Sequence, residues 1–461
     1  MMSATEGSIN RRDALKGLGA LALGSTLAPS LGDAAPVTAP DDTPSVRPFT
    51  NKPVTCIILG AGSRGNTYSA WSKLHPDQMK IVGVAEPIAD RQERFARTYD
   101  IPDANRFPSW DNALALPKFA DAILITMPDL LHHPAAIRGL ELGYDILLEK
   151  PIATSWKECE DILVHHERYP RIVAICHVLR YTRYFRKLKE IVASGVLGEV
   201  VNIEHCEPVG YWHQGHSFVR GNWRNQATSS PMILSKCCHD LDIIRWLADA
   251  SCLSVSSFGS LKHFRKENAP HGSTLRCTDG CAVEPECPYS ALKLYMNMKN
   301  NDWPVNVITA DLSKEGRLRA LKEGPYGRCV YHCDNDVVDH QVVNMQFGKE
   351  RTASLTMSAF TTGSRRTRIM GTMGEAIGDT RYIRVANFRN GTEESIDTEK
   401  ADTGINSGHG GGDYGLLEAF IKAVQYQDPS FISSSLAVSM ESHKMAFDAE
   451  RSRNEGRIIT L

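Results

Sequence analysis

Gly60-Ala-Gly62-Ser63-Arg64-Gly65 is a run whose residue types and spacing suit phosphate chemistry. It directly follows the short, β-branched apolar run Val54–Leu59 and leads into a helical stretch, Asn66–His75. In that setting the three glycines do different things. The first makes a tight turn, the second lets backbone approach a pyrophosphate, and the third lets helix and strand pack closely. The phosphates would rest on the helix N-terminus, where N–H groups lack partners. Glu86 stands 21 positions after Gly65, close to the interval of about 20 that brings a carboxylate to a ribose. A carboxylate there accepts both ribose hydroxyls of NAD and repels the extra phosphate of NADP. The pattern predicts a nicotinamide dinucleotide site, NAD favoured over NADP.

The cysteines are a second cluster with chemical potential. There are twelve, and Cys277, Cys281 and Cys287 fall in a polar insertion (262–300), with Cys329 and Cys333 further on. Clustering in loops, away from apolar strands, points to cross-linking or metal binding rather than core packing. The spacings are not the usual CxxC of zinc sites. Three readings stay open: a structural zinc on Cys277, Cys281, Cys287 and Cys333, disulfides, which an oxidising compartment favours, or free thiols. Cys237 and Cys238 read as small buried packing residues.

The elements that must position these groups are legible from periodicity. Val54–Leu59, Met79–Ala85, Ala122–Thr126, Tyr144–Leu148 and Arg171–Cys176 are apolar runs of strand length. The stretches Asn66–His75, Ile88–Tyr99, Pro134–Leu142 and Ser155–Arg168 between them read as helices. Strands alternating with helices imply an α/β, doubly wound parallel sheet. After Val200 the pattern changes to strands at Val200–Cys206, Ser254–Ser260, Val337–Phe347 and Thr352–Phe360. The last two, joined around Gly348-Lys349, alternate with Leu355, Met357 and Ala359 on the covered side. The expected organisation is a Rossmann domain over 53–176 and an α+β domain with an open mixed sheet over 177–461.

Further motifs carry a resemblance. Met127-Pro128-Asp-Leu-Leu-His132, Glu149-Lys150-Pro151, Gly195-Val-Leu-Gly198-Glu199 and Met370-Gly-Thr-Met-Gly374-Glu375 are similar to four turns of the Gfo/Idh/MocA oxidoreductases. The resemblance covers nearly all of 54–461. It implies hydride transfer between a sugar or polyol carbon and nicotinamide, in a protein that forms dimers or tetramers. Lys150 would sit beside the nicotinamide and polarise the reacting hydroxyl, its pKa open to tuning by burial and neighbours. X–Pro bonds are the ones that adopt cis, and a cis Lys150–Pro151 bond would aim the lysine into the cleft. His239 matches the family histidine, whose neutral imidazole takes a proton near physiological pH. Where many members have an Asp four residues earlier, this chain has Ser235, so Lys236, Asp240 and Asp242 stand as substitutes. Tyr181, Trp223 and Arg224 lie where sugar contacts are expected, with Tyr211-Trp-His213 as an aromatic loop. His409-Gly-Gly-Gly-Asp413 resembles a segment of the NAD-dependent α-N-acetylgalactosaminidases, a redox-neutral branch of the superfamily.

Arg11-Arg12 before the weakly apolar stretch Leu15–Leu27 has the pattern of a twin-arginine export signal, expected over 1–40 with a linker over 41–52. The stretch is too short for a membrane span, which needs about 20 apolar residues, so the exported protein is expected to be periplasmic. A net charge of −2 and a pI near 6.8 exclude a global electrostatic case for nucleic acid or membrane-surface binding. The basic run Arg180–Lys189 reads as a solvated helix face. Three functions are open: a sugar oxidoreductase with tightly held NAD, a redox-neutral glycoside hydrolase or lyase, and a non-catalytic sugar sensor. The presence of both Lys150 and His239 argues against the sensor.

Overall fold

The computed structural model describes residues 52–400 and 409–461. The expected signal and the linker to residue 51 lie outside the described residues. The first six strands are β1 (Val54–Leu59), β2 (Met79–Ala85), β3 (Arg106–Phe107), β4 (Ala122–Ile125), β5 (Asp145–Leu148) and β6 (Val173–Ile175). They form one sheet in the order β3-β2-β1-β4-β5-β6, every pairing parallel. The continuous apolar runs are explained by burial on both faces: all of β4 and β5 is buried, as parallel strands under helices must be. Strand order reverses between β1 and β4, which opens a crevice at the carboxyl ends of the strands.

The second sheet is β7 (Val200–Pro208), β8 (Cys252–Ser260), β9 (His340–Phe347), β10 (Thr352–Ser358), β11 (Arg366–Gly371), β12 (Gly374–Gly378), β13 (Tyr382–Asn387), β14 (Thr392–Asp397) and β15 (Ile459–Thr460). Its order is β14-β13-β12-β11-β7-β10-β9-β8-β15. Only β7 and β10 pair in parallel, so the sheet is mixed. The expected hairpin is present, with Leu355 opposite Val343 and Met357 opposite Gln341, and Leu355 and Met357 face the core. Strands β13 and β14 were not expected from sequence. Their exposed polar positions give little apolar signal because they extend the sheet at its edge.

One face of this sheet packs on the helices Cys238–Ala248 and Leu436–Glu455. The chain also returns to the first sheet. Leu416, Leu417, Phe420 and Ile421 of the helix Gly412–Tyr426 share a core with Val54, Cys56 and Ile58 of β1. An isolated bridge, Ala174 to Ser435, adds a further tie to β6. Among the described residues no helix is long and apolar enough to cross a membrane.

Candidate active site

The loop after β1 shows the three glycine roles separately. Gly60 has φ +99, and a Cβ there would meet the Thr126 carbonyl oxygen at 2.9 Å. A Cβ on Gly65 would meet the Gly60 oxygen at 2.2 Å, so helix and loop pack too closely for any side chain. A Cβ on Gly62 would meet nothing within 4 Å, the open approach a pyrophosphate needs. Gly62 is also the N-cap of the helix Ser63–Ser69 and supplies no side-chain cap, leaving first-turn N–H groups for an anion. Ser63 opens that helix and is exposed. Asn66 steadies the loop by donating to the carbonyls of Ala61 and Gly62, each at 2.8 Å.

Glu86 stands at the end of β2 and is buried. Its carboxylate accepts N–H bonds from Ala61 (2.9 Å) and Ile88 (3.1 Å) and lies 3.6 Å from Arg91. Each oxygen keeps acceptor capacity for a ribose hydroxyl. The open cradle, the uncapped helix and the fixed carboxylate together fit a dinucleotide.

Lys150 follows β5, and the Lys150–Pro151 bond is cis. His132 ties that turn to the one after β4: its Nδ1 lies 2.6 Å from the Pro151 oxygen and its Nε2 3.0 Å from the Met127 oxygen. Pro128 continues that turn into a short helical segment. Lys150 Nζ donates to the Ser235 carbonyl at 2.6 Å. The residue in the family's acidic position therefore meets the lysine through its backbone, while its hydroxyl bonds to the Pro231 oxygen at 3.2 Å.

Behind Lys150 runs an ion-pair network that sequence reading missed. Glu149 is buried and accepts from Arg64 Nε at 2.6 Å and Tyr68 Oη at 2.8 Å. Arg64 also pairs with Asp413 at 2.6 Å, and Asp413 lies 3.1 Å from His409 Nδ1. Burial pushes the Glu149 carboxyl up, but Arg64 and Lys150 outweigh it and hold it below the usual range. Asp413 is likewise held low against burial, by His409 and Arg64. Arg64 is thus committed to fastening the glycine loop to the Glu149-Lys150 turn and the late loop.

His239 lies in the helix Cys238–Ala248 and is buried, and its Nδ1 meets no partner among the described residues. Burial, followed by the charge of Lys150 and by His177, pushes its pKa well below the usual value. The ring is a neutral base. His177 packs edge-on to it with centroids 5.6 Å apart, and against His443 at 5.4 Å. Burial lowers His177 to about 4 and His443 to about 3.

A cavity of about 430 Å³ is lined by His213, Lys236, Glu207, Arg365, Tyr184 and His409, among others. Lys236 and Arg365 both pair with Glu207, at 3.3 and 2.5 Å. Arg365 also binds the wholly buried Asp240 at 2.7 Å. The structure therefore brings Lys150 and His239 together, with Lys236 and His409 at the adjoining cavity.

Other expected contacts lie elsewhere. Tyr181 does not face the cleft: its hydroxyl accepts N–H bonds from Ser433 (3.0 Å) and Ser434 (3.2 Å). Asp242 is not open to a substrate, because Arg180 grips both its oxygens at 2.6 and 2.8 Å. Arg180 itself is buried, so the basic run is not a solvated face throughout. Asp240 is held by Arg365 and by His205 at 2.9 Å, and neither aspartate orients His239. Trp223 donates to Asp129 at 3.3 Å, a buried carboxylate that also takes the Ser229 hydroxyl at 3.1 Å. Arg224 pairs with Asp334 at 2.9 Å. These residues carry no local pattern that separates a structural ion pair from a substrate contact.

All twelve cysteines are free, so the disulfide expectation is not met. No group of three or more His, Cys, Asp or Glu among the described residues could hold a metal ion, which also corrects the zinc set. Cys333 stands apart: its thiol donates to the Cys329 carbonyl at 3.3 Å.

The parallel sheet with its glycine loop, the lysine-proline turn and the neutral histidine make one site, of the kind an NAD-binding Rossmann domain presents. Comparison with known proteins agrees. Residues 54–177 match the model of the oxidoreductase family NAD-binding Rossmann fold, and 189–461 match that family's C-terminal alpha/beta domain. The chain belongs to the Gfo/Idh/MocA oxidoreductase family. It is 26% identical to an inositol 2-dehydrogenase of Corynebacterium glutamicum over 43% of this chain and 55% of that one. It is 23% identical to the 2,7-anhydro-N-acetylneuraminate hydratase of Escherichia coli over 44% of this chain and 51% of that one. The chain spans about half the length of the curated relatives it matches. Among solved structures, an inositol dehydrogenase homologue from Azotobacter vinelandii complexed with NAD+ superposes with TM-score 0.64 at 13% identity, covering 89% of this chain and 98% of that one. An aldose-aldose oxidoreductase from Caulobacter crescentus gives 0.62 at 14%, covering 89% and 100%.

Proposed function

We propose that the protein oxidises a CH–OH group of a sugar, polyol or glycoside, using NAD in preference to NADP and holding it tightly. The observation that carries this reading is the pairing of Lys150 with the His239 segment: the ammonium is fixed 2.6 Å from the Ser235 carbonyl, four residues before a neutral imidazole with a free Nδ1. NAD, when bound, takes up the hydride. Lys150 would donate a hydrogen bond to the reacting oxygen and favour its alkoxide character. His239 would accept the hydroxyl proton, which its low pKa allows at any pH near neutrality. The glycine loop and Glu86 would hold pyrophosphate and ribose, with Met127, Pro128 and Glu149 forming the wall behind. The polar cavity beside them suits a ligand rich in hydroxyls.

Export in a folded state follows from the Arg11-Arg12 pattern, and a compartment without a soluble NAD pool favours a cofactor that stays bound. On the uncovered sheet face Phe258 and its cross-strand neighbour Val342 are exposed side by side, which supports self-association. A second reading is the redox-neutral cycle of oxidation, elimination, hydration and reduction. His409 and Asp413 at the site, together with a hydratase among the relatives, favour it.

Substitution tests the assignment. Lys150→Ala lowers turnover about 10²–10⁴-fold, the usual share of a positioned acid or base, and leaves NAD bound. Loss of NAD binding instead would remove the role given to Lys150.

A further inference from the structure

Three buried histidine rings pack together. His177 follows β6, His239 lies in the first turn of the helix Cys238–Ala248, and His443 lies within the helix Leu436–Glu455. His177 packs edge-on against both, with ring centroids 5.6 Å from His239 and 5.4 Å from His443. His443 is fully committed. Its Nε2 accepts the Ile152 N–H at 2.9 Å and its Nδ1 donates to the Ser439 carbonyl at 2.9 Å. His177 is the reverse case: it is wholly buried, and neither ring nitrogen meets a partner among the described residues. His239 Nδ1 is in the same position.

Buried polar atoms are nearly always paired, because a lone one has given up its water for nothing. Two adjacent rings here carry three orphaned nitrogens, and each ring offers what the other lacks. A neutral imidazole has one N–H donor and one acceptor nitrogen. Rings at this separation join through a single water, whose hydrogen bonds run about 2.9 Å each. The carboxylates nearby are already engaged. Arg180 grips both oxygens of Asp242, Arg365 and His205 hold Asp240, and Arg64 and Tyr68 hold Glu149. The charges facing His177 are those of Asp242, Arg180, Lys150 and Glu149. Burial acts more strongly than any of them and pushes the ring down to about 4, so His177 is neutral and able to accept. His239, for its part, faces Lys150, His177, Arg365 and His409.

We propose that His177 is the positioning residue for His239, taking up its Nδ1–H through one bridging water and leaving Nε2 as the base toward the cleft. This rests on the reading of His239 as the group that accepts the hydroxyl proton. The nitrogen that accepts a proton is set by the hydrogen bond the other nitrogen makes. Nδ1 is closed off from solvent, whereas the residue keeps 8% exposure, so the opposite edge of the ring reaches the cleft. Ser235 stands where many family members have the orienting carboxylate, and its hydroxyl is turned to the Pro231 oxygen. A neutral imidazole can fix the tautomer as a carboxylate does. It differs in adding no negative charge to favour the imidazolium, so the base stays neutral.

The test reads the tautomer directly. The full chain is labelled with ring-¹⁵N histidine, and its imidazole nitrogen shifts are recorded near neutral pH, His239 being assigned by its loss in His239→Asn. The wild-type protein is expected to hold His239 as the Nδ1–H form. In His177→Phe, which keeps the ring volume, both forms should appear, and kcat should fall about tenfold, the worth of one hydrogen bond, with KM little changed. His177→Gln keeps an acceptor and should restore most of both. Circular dichroism checks that each variant is folded. The Nε2–H form in the wild-type protein would overturn the proposal, and so would the Nδ1–H form kept in a folded His177→Phe. The tautomer is read without substrate, so its result stands apart from whether the protein oxidises a sugar or polyol.

Discussion

Lys150 and His239 make different demands on their surroundings, and the structure meets both. The lysine needs a fixed direction, which the Ser235 carbonyl provides at 2.6 Å. The histidine needs to be neutral and unengaged, and burial beside the Lys150 charge ensures that. His239→Asn keeps a polar side chain but cannot accept a full proton, so kcat/KM should fall about 10²–10⁴-fold with KM little changed. A purely structural role would instead appear as lost stability with kcat/KM retained, in thermal melts and steady-state kinetics of the same preparation. At this scale the sequence was most legible where backbone geometry restricts the residue, as at Gly60 and Gly65. It was least legible for Tyr181 and Asp242, whose partners Ser433 and Arg180 are chosen by the fold.

Among the elements, the late loop matters more than its sequence suggests. Asp413 opens the helix Gly412–Tyr426 and reaches Arg64 in the glycine loop, so the last third of the chain fastens the dinucleotide loop. Removing Asp413 would leave Arg64 paired with Glu149 alone, at the loss of one charge-assisted hydrogen bond. Asp413→Ala is expected to cost about 2 kcal/mol, read as a lower denaturant midpoint. An unchanged midpoint would show that the pair contributes nothing. The strands and helices around β1 to β6 were readable because burial on both faces writes continuous apolar runs. The Glu149–Arg64–Asp413 network was not, since 349 positions separate Arg64 from Asp413 and no local pattern joins them.

For the whole molecule, buried histidines set the acid limit. His177 and His443 sit at about 4 and about 3, against roughly 6.5 in an unfolded chain. The unfolded state therefore binds protons that the native state refuses, and stability falls as pH drops below about 6.5. Each histidine contributes about 1.4 kcal/mol per pH unit until its folded pKa is reached. Melting temperature should be flat from neutral pH upward and fall steeply between about pH 6 and 4. The low carboxylates Glu149 and Asp413 add their loss only at more acid pH. A melting temperature constant down to about pH 4 would contradict the buried, neutral assignment. At this scale the two-sheet architecture was legible, whereas loop placement of the cysteines could not say that all would be free thiols.

The central claim is that a bound nicotinamide takes hydride, in a net oxidation, from a hydroxyl-bearing carbon at Lys150 and His239. It is tested most directly by following the absorbance of the cofactor carried by the purified protein while free sugars, polyols and aryl glycosides are added in turn. A free sugar or polyol is expected to raise the reduced-nicotinamide band, and Lys150→Ala with NAD still bound is expected to give no rise. Release of the aryl group with no net reduction, and no response to any free sugar, would contradict the claim and establish the redox-neutral cycle instead.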